Sequence, residues 1–250
     1  MSRHIFIFIT IILSSSALSA QLVETIAKIK PSVVGIGVYT PTGKPRNTLQ
    51  GSGFVIGNGQ YVITNHHVVS EKLDESLLQE LVVFIGSGKN ALVRKASLVD
   101  SSKRYDLAIL KIEGKPLPAM ILADKKLYPE GSYVAFTGFP IGAILGIYPA
   151  THRGYVSAIT PDAIPAMNSQ QLNLKMMERL DSVSLIYQLD AIAYPGNSGS
   201  PMYDPKSGEV VGVINKVLVK DTKESALSSP TGISYAIPVK YVHNLISDAK

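Results

Sequence analysis

The hydrophobic residues of this 250-residue chain fall mainly in short runs, separated by turns rich in Gly, Asn, Ser and Lys. Short runs dominated by Val, Ile and Leu predict β-strands, and frequent turns between them are typical of sandwiches and barrels. Two series of strands therefore predict an all-β protein of two packed six-stranded barrels, roughly 31–120 and 121–237. The predicted strands are 33–39, 53–56, 61–64, 81–85, 91–99, 107–112, 133–137, 154–158, 185–189, 210–215 and 233–237.

Helical spacing of apolar residues is found at both ends of this strand pattern. Residues 22–30 carry Leu22, Ile26 and Ile29 on one face, and Pro31 cannot continue a helix. Residues 238–248 begin with a proline, which suits the first turn of a helix, and carry an apolar stripe. A short N-terminal helix and a C-terminal helix are therefore expected.

Two insertions interrupt the strand pattern. Residues 71–80 carry Leu73 and Leu77 and are predicted to form a short helix. Residues 161–183 contain Asn168 and Gln171 in the spacing of a capping box, followed by an apolar stripe with two methionines. Three roles stay open for the longer insertion, namely a lid, a contact between copies of the chain, and packing or decoration.

The first twenty residues are predicted to be a secretory signal peptide. Arg3 precedes a nine-residue apolar run, and small residues follow at 14–20. The run is too short to span a bilayer, which needs about 20 residues. Cleavage after Ala20 is favoured over cleavage after Ser19, and an uncleaved anchor is the alternative. We therefore expect a domain of residues 21–250 that is exported to the bacterial periplasm or secreted.

Composition narrows the classes of function. Hydrophobic residues make up 46% of the chain, which supports a large core and argues against disorder. The net charge of +5 includes no run of basic residues with interleaved aromatics, so nucleic-acid binding has little support. No later segment is apolar enough for stable membrane insertion. The chain has no cysteine, which excludes a cysteine nucleophile and thiolate metal sites.

Three separate segments carry the residue types of a serine hydrolase. They are Thr-Asn-His-His-Val at 64–68, Asp-Leu-Ala-Ile-Leu at 106–110 and Gly-Asn-Ser-Gly-Ser-Pro at 196–201. A serine hydroxyl is a weak nucleophile that needs a base, and the base needs an orienting carboxylate. The order His, Asp, Ser is that of the chymotrypsin type, whereas α/β-hydrolases use Ser, Asp, His.

Ser198 lies between glycines that allow a sharp turn and the close approach of a substrate carbonyl. The same loop can direct the N–H groups of Gly196 and Ser198 at one point, which would form an oxyanion hole. A plain turn between strands is the alternative. The segment is not the nucleophile elbow G-x-S-x-G, because Ser200 stands where the last glycine would be.

Two adjacent histidines, His66 and His67, compete for the role of the base. Asp106 begins an apolar strand, where a carboxylate needs a partner for its charge. A histidine Nδ1–H would supply that partner and fix the tautomer of the ring. Pairing of Asp106 with the preceding Lys103 and Arg104 is the alternative.

Several motifs together resemble the HtrA/DegP type of trypsin-like serine protease. They are Gly-Ser-Gly-Phe at 51–54, Gly-Phe-Pro-Ile-Gly at 138–142, Gly-Tyr-Val-Ser at 154–157, an aspartate eight residues before Ser198, and Gly-Ile-Ser-Tyr-Ala-Ile-Pro at 232–238. The resemblance covers most of the chain after residue 20. It implies a chymotrypsin-like double barrel with His67, Asp106 and Ser198 as a catalytic triad in the cleft, since the family carries Thr-Asn-x-His-Val.

The family's pocket positions imply a substrate preference. Ile192 would lie at the base of the specificity pocket, Val217 and Ile233 would form its walls, and Asn215 would belong to the substrate-binding set. An apolar base penalises a buried cation, and branched walls leave a small volume. We therefore expect cleavage after small or medium aliphatic residues and not after Lys or Arg.

The chain also departs from related patterns. It ends after the closing helix, so we expect no PDZ domain and no regulation through one. The Gly-Asn-Ser-Gly-Ser-Pro segment resembles glutamyl endopeptidases, but residues 210–219 lack the histidine that those enzymes carry, so glutamate specificity is not expected. Asn197 replaces the aspartate that pairs with a freed N-terminus in digestive proteases, so activation of that kind is not expected.

The leading hypothesis is an exported serine endopeptidase that acts through an acyl-enzyme and needs no metal or organic cofactor. Its substrates would be proteins or peptides, unfolded ones included, and the oligomeric state stays open. One alternative is a gated or inactive binding module on a protease fold. Another is an α/β-hydrolase-type esterase, in which His243 would be the base, although the strands lack the alternating rhythm with helices of that fold.

Overall fold

We describe the structure from a computed structural model, which covers residues 21–88, 91–140, 146–162, 184–217 and 232–248, with backbone only at 216–217. The signal-peptide prediction and nearly all of the insertion at 161–183, including its capping box, lie outside these residues. In the described part of the chain, no helix is both long enough and apolar enough to cross a membrane.

Residues 33–112 form a closed antiparallel barrel of six strands. Its strand order is β1-β2-β3-β6-β5-β4, and β4 closes the barrel by pairing with β1. Val, Ile, Leu and Ala side chains, most of them from these strands, fill the interior. The strands are β1 (Val33–Tyr39), β2 (Asn47–Ile56), β3 (Tyr61–Thr64), β4 (Glu80–Ile85), β5 (Leu92–Ser102) and β6 (Leu107–Ile112).

The second half of the chain forms another closed six-stranded barrel with the same connectivity. Its order is β7-β8-β9-β12-β11-β10, which repeats the first barrel strand for strand. The strands are β7 (Tyr133–Gly138), β8 (Ala150–Pro161), β9 (Leu185–Asp190), β10 (Pro201–Tyr203), β11 (Val210–Val217) and β12 (Ile233–Pro238). The predicted all-β class with two six-stranded barrels is confirmed.

A hydrophobic cluster between the two barrels joins them. Phe54 and Leu107 of the first barrel pack there with Tyr203 and Ile237 of the second, and all are almost fully buried. Full burial of such side chains stabilises the fold by about 1.5–3 kcal/mol each. The cluster therefore fixes the barrels against each other, and the candidate site lies along their junction.

Short helices complete the fold. Helix α1 spans residues 21–29 and runs into a 3-10 turn at Lys30–Ser32. Helix α2 (His66–Val69) follows β3. Helix α3 (Val239–Asp248) packs Val242 and Leu245 into the cluster between the barrels. The helix predicted at 238–248 is present, although its proline is the last residue of β12.

Two predictions about elements were wrong. Residues 71–80 do not form the predicted helix; only Glu75–Leu77 is a 3-10 turn, and Leu78 adopts a left-handed conformation with φ 52° that ends it. Leu73 and Leu77 stay largely exposed, so no packing stabilises a longer helix there. Strand β10 was not predicted, because three residues beginning with a proline give no strand pattern.

Candidate active site

His67 and Asp106 form a paired contact on the rim of the first barrel. His67 lies in α2, directly after β3, and Asp106 directly precedes β6, the strand that pairs with β3. The His67 Nδ1 atom lies 2.7 Å from Asp106 Oδ2, and the backbone N–H of His67 donates to Asp106 Oδ1 at 2.9 Å. Because the carboxylate accepts from Nδ1, the neutral ring keeps Nε2 free to accept a proton.

The backbone of Asp106 is held in an uncommon conformation. Its φ of 50° lies in the left-handed region, which aspartate tolerates better than most residues. Such conformations cost about 1–3 kcal/mol and persist where the surroundings fix them. Asn65 Nδ2 donates to the Asp106 carbonyl at 3.0 Å, and the Tyr105 ring stacks on Tyr241 of α3 at 4.4 Å. These supports were not predicted from the sequence, although Asn65 belongs to the motif that indicated His67.

His66 does not take part in this pair. Its Nδ1 atom is buried and has no hydrogen-bond partner among the described residues. His66 and His67 are adjacent in a short helix, so their side chains leave it in different directions. The geometry therefore distinguishes the two histidines, which the residue pattern alone did not.

Ser198 lies in the loop between β9 and β10 of the second barrel. Gly196 and Gly199 on either side have φ of 98° and 86°, a region that favours glycine. A side chain at Gly199 would also collide with the carbonyl of Ser52. The loop is therefore a tight turn that packs directly on the first barrel.

Contacts across the junction bring the Ser198 loop beside the His67 helix. The Ser52 N–H of β2 donates to the Ser198 carbonyl at 2.8 Å. A Cβ atom placed on Gly51 would lie 2.8 Å from Val68 Cγ2 and 3.0 Å from the Ser198 carbonyl oxygen. The residue after His67 and the backbone of Ser198 thus face the same glycine from two sides.

The Ser198 hydroxyl donates to the carbonyl of Asn215 in β11 at 2.8 Å. Within the described residues, it makes no hydrogen bond to His67. Catalytic hydrogen bonds are often formed only when substrate binds, so this geometry does not exclude the pair. To donate to the imidazole, the Ser198 hydroxyl must give up its hydrogen bond to the Asn215 carbonyl.

The two amides expected to form an oxyanion hole belong to Gly196 and Ser198. Neither donates to an acceptor among the described residues, whereas the intervening Asn197 N–H donates to the Tyr194 carbonyl at 2.9 Å. Asn197 itself is fully buried, and its side-chain amide has no partner in the described part of the chain.

The positions expected to form the specificity pocket meet at one end of the second barrel. Asp190 pairs with Ile233 between β9 and β12, and Val217 of β11 pairs with Ser234. Ile192 follows β9 by two residues, and both Ile192 and Ile233 expose 38% of their surface. Two partly exposed isoleucines thus lie at the end of the second barrel where the pocket was predicted.

A third histidine lies behind the Ser198 loop. The His152 ring stacks on Phe136 at 5.1 Å and tilts against Tyr194 at 5.9 Å. Burial lowers the pKa of His152, because a charged imidazolium would lose its hydration there. The ring is therefore a neutral packing element near pH 7.

These observations define a class of protein: two antiparallel six-stranded barrels of matching connectivity, with a His–Asp pair and a serine loop at their junction, form a chymotrypsin-like fold. Comparison with protein families agrees. The model of the trypsin-like peptidase domain matches residues 51–213, a range that includes all three residues. The chain belongs to this family, which confirms the resemblance seen in the sequence.

Individual relatives point to one branch of the family. A probable periplasmic serine endoprotease, DegP-like, from Pseudomonas putida (strain GB-1) is 31% identical over 202 residues, which are 80% of this chain and 35% of that protein. A protein of the same description from Halomonas elongata is 31% identical over 189 residues, or 76% of this chain and 32% of that protein. The chain spans about a third of the length of these curated relatives.

Solved structures show the same fold. A serine endoprotease from Yersinia pestis is 23% identical, with a TM-score of 0.64, and the match covers 91% of this chain and 66% of that one. An HtrA-type protease solved with a tripeptide is 24% identical, with a TM-score of 0.64, and the match covers 91% of this chain and 62% of that one.

Proposed function

We propose that this protein is a serine endoprotease of the DegP/HtrA type, with Ser198, His67 and Asp106 as its triad. The observation that carries the proposal is the pair of hydrogen bonds from His67 to Asp106, formed beside the serine loop. Membership of the trypsin-like peptidase family and the names of the DegP-like relatives support it.

Acylation would begin when His67 Nε2 takes the proton of the Ser198 hydroxyl. The serine oxygen attacks the peptide carbonyl carbon, and the carbonyl oxygen becomes an oxyanion facing the amides of Gly196 and Ser198. Asp106 keeps the ring oriented and stabilises the imidazolium. The C–N bond then breaks, the amine leaves with the proton from His67, and an ester on Ser198 remains.

Deacylation repeats these steps with water as the nucleophile. His67 removes a proton from the water, the hydroxide adds to the ester carbonyl, and the same amides face the second oxyanion. Collapse of this intermediate breaks the bond to Ser198, which regains its proton from His67. His67 accepts and returns each proton in both steps.

A second candidate function follows from the Ser198 rotamer. Since the hydroxyl donates to the Asn215 carbonyl, the protein could be a gated or inactive module that binds peptides without cleaving them. The two functions differ in whether Ser198 becomes nucleophilic. The reactivity of this one hydroxyl therefore separates them.

Ser198→Ala is expected to abolish hydrolysis of unfolded casein, because no other group supplies the nucleophile. The wild-type protein is expected to degrade casein and to react covalently with a fluorophosphonate probe, with Ser198 as the modified residue in peptide mass spectrometry. Ser207→Ala is the matched control, since Ser207 is an exposed serine of the same barrel. A wild-type protein that binds casein but resists both cleavage and labelling would favour the binding module.

Ile192→Ala is expected to widen the specificity pocket and raise kcat/KM for Phe or Met relative to Val by about 10-fold, since a difference of one methylene in an apolar pocket is worth about 10–200-fold. Cleavage of a peptide library by the wild type should favour small or medium aliphatic residues. Ile121→Ala is the control, because Ile121 is an exposed isoleucine outside the predicted pocket. A wild-type preference for Arg or Lys would refute the apolar pocket.

Export to the periplasm, or secretion, is part of the proposal. The predicted signal peptide and the periplasmic descriptions of the relatives support it. Such a location favours protein or peptide substrates, including unfolded chains. Cell fractionation with an antibody against the chain would test the location independently of activity.

A further inference from the structure

Ser52 of β2 connects the first barrel to the second through three hydrogen bonds, two of which reach the serine loop. Its N–H donates to the Ser198 carbonyl at 2.8 Å, and its hydroxyl donates to the Gly196 carbonyl at 2.6 Å. The same hydroxyl accepts from the Phe139 N–H at 2.9 Å. Ser52 is completely buried, so water does not compete for these bonds.

The bond to Gly196 holds a particular peptide group. The carbonyl of Gly196 and the N–H of Asn197 form the peptide that lies between the two proposed oxyanion donors. Its carbonyl accepts from Ser52, and its N–H donates to the Tyr194 carbonyl at 2.9 Å. Rotation of this peptide would break both bonds. A change in ψ of Gly196 or φ of Asn197 that the other angle does not compensate would alter the relative orientation of the Gly196 and Ser198 amides.

The surroundings leave the Ser52 hydroxyl little freedom. A Cβ atom on Gly138 would lie 2.7 Å from Ser52 Oγ and would collide with the Ser200 hydroxyl. Phe139 is fully buried, so its N–H cannot turn to solvent instead. The hydroxyl is therefore fixed by one donor and one acceptor from two different loops of the second barrel.

We propose that Ser52 is a positioning residue that sets the oxyanion donors Gly196 and Ser198 through the carbonyl between them. The inference rests on the proposed protease function and assigns Ser52 no contact with substrate. Because misplacement of catalytic groups by about 1 Å can cost about 100-fold, loss of the hydroxyl is expected to act mainly on the chemical step.

Ser52→Ala is expected to lower kcat by about 10- to 100-fold while KM changes by less than about threefold, because the substrate side-chain pocket is untouched. A peptidyl boronic acid, whose oxygen occupies the oxyanion site, should bind less tightly by a similar factor. The same peptide with a C-terminal amide should bind the variant as it binds the wild type. Ser52→Cys supplies a near-isosteric but weaker donor, and its kcat should fall between the two.

Thr137→Val is the matched control for loss of a buried hydroxyl. Thr137 is fully buried and bonds Thr151 and Tyr203 within the second barrel at 2.8 and 2.9 Å. The Thr137→Val variant is expected to have a lower melting temperature than the wild type and a kcat within about threefold of the wild-type value. If Ser52→Ala does not fold, the Cys variant carries the test.

The outcomes separate the two proposals. A wild-type protein that does not label at Ser198 refutes the protease function. A wild type that labels, together with a folded Ser52 variant of unchanged kcat and boronate affinity, refutes the positioning role alone. Equal losses of kcat in the Ser52 and Thr137 variants would also refute it, because they would indicate a general loss of stability.

Discussion

Replacing His67 by alanine is expected to lower kcat by about 10⁶-fold, the scale of loss seen when the histidine of a Ser-His-Asp triad is removed. The His67–Asp106 pair is the only described His–carboxylate contact beside the serine loop. Among the described residues, the other histidine near the loop, His152, is packed between Phe136 and Tyr194, so loss of His67 removes the carboxylate-paired base for the Ser198 proton. Initial rates of peptide hydrolysis, measured against the uncatalysed background, would give the loss.

Two other histidines provide controls for this prediction. His66→Ala removes the adjacent ring, which makes no contact with Asp106, and His243→Ala removes the ring that bonds the Ala123 carbonyl at 2.8 Å. Both variants are expected to keep kcat within about fivefold. Loss of activity in the His66 variant but not in the His67 variant would identify His66 as the base. Loss only in the His243 variant would exclude the His67–Asp106–Ser198 triad.

Asp106→Asn is expected to lower kcat by about 10⁴-fold, or about 5.5 kcal/mol, with the fold intact. The carboxylate accepts from both the N–H and the Nδ1–H of His67. An amide has one acceptor oxygen for these two donors. If the oxygen keeps the backbone N–H, the NH₂ group faces Nδ1, the ring proton moves to Nε2, and the imidazole can no longer act as a base.

The measurement for Asp106→Asn is kcat at neutral pH, with circular dichroism to show that both barrels are folded. Asp124→Asn is the matched control, because Asp124 is exposed and its nearest cation, Lys126, lies 3.8 Å away. The control is expected to behave as the wild type. Activity of the Asp106 variant within 10-fold of the wild type would exclude Asp106 as the orienting carboxylate.

The fold was predictable where strands are buried on both faces. Strands β1, β3 and β6 begin and end at the predicted residues, because short segments rich in Val, Ile and Leu between turn residues have few alternatives. Strand β10 was not predicted, because its three residues are extended only through pairing with β7 and β11. The local sequence does not encode that pairing. The helix at 71–80 failed because no neighbouring surface covers its leucines.

The candidate chemical groups of the site could be predicted from the sequence more readily than the residues that position them. Few functions require a histidine, an aspartate and a serine in motifs of this kind. The residue types of His67, Asp106 and Ser198 therefore indicated a serine hydrolase. Ser52 and Asn65 form hydrogen bonds with groups that lie far away in the chain, so no local pattern marks them. The direction of the Ser198 hydroxyl depends on a side-chain rotation that no sequence pattern specifies.

The strand order common to both barrels has a consequence for how the molecule matures. Each half can close its own ring of strands, yet the first half carries the imidazole and the carboxylate, and the second half carries the hydroxyl. A newly made chain with one finished half would therefore be inert. If the proposed triad is correct, peptide hydrolysis would begin only when the two halves dock.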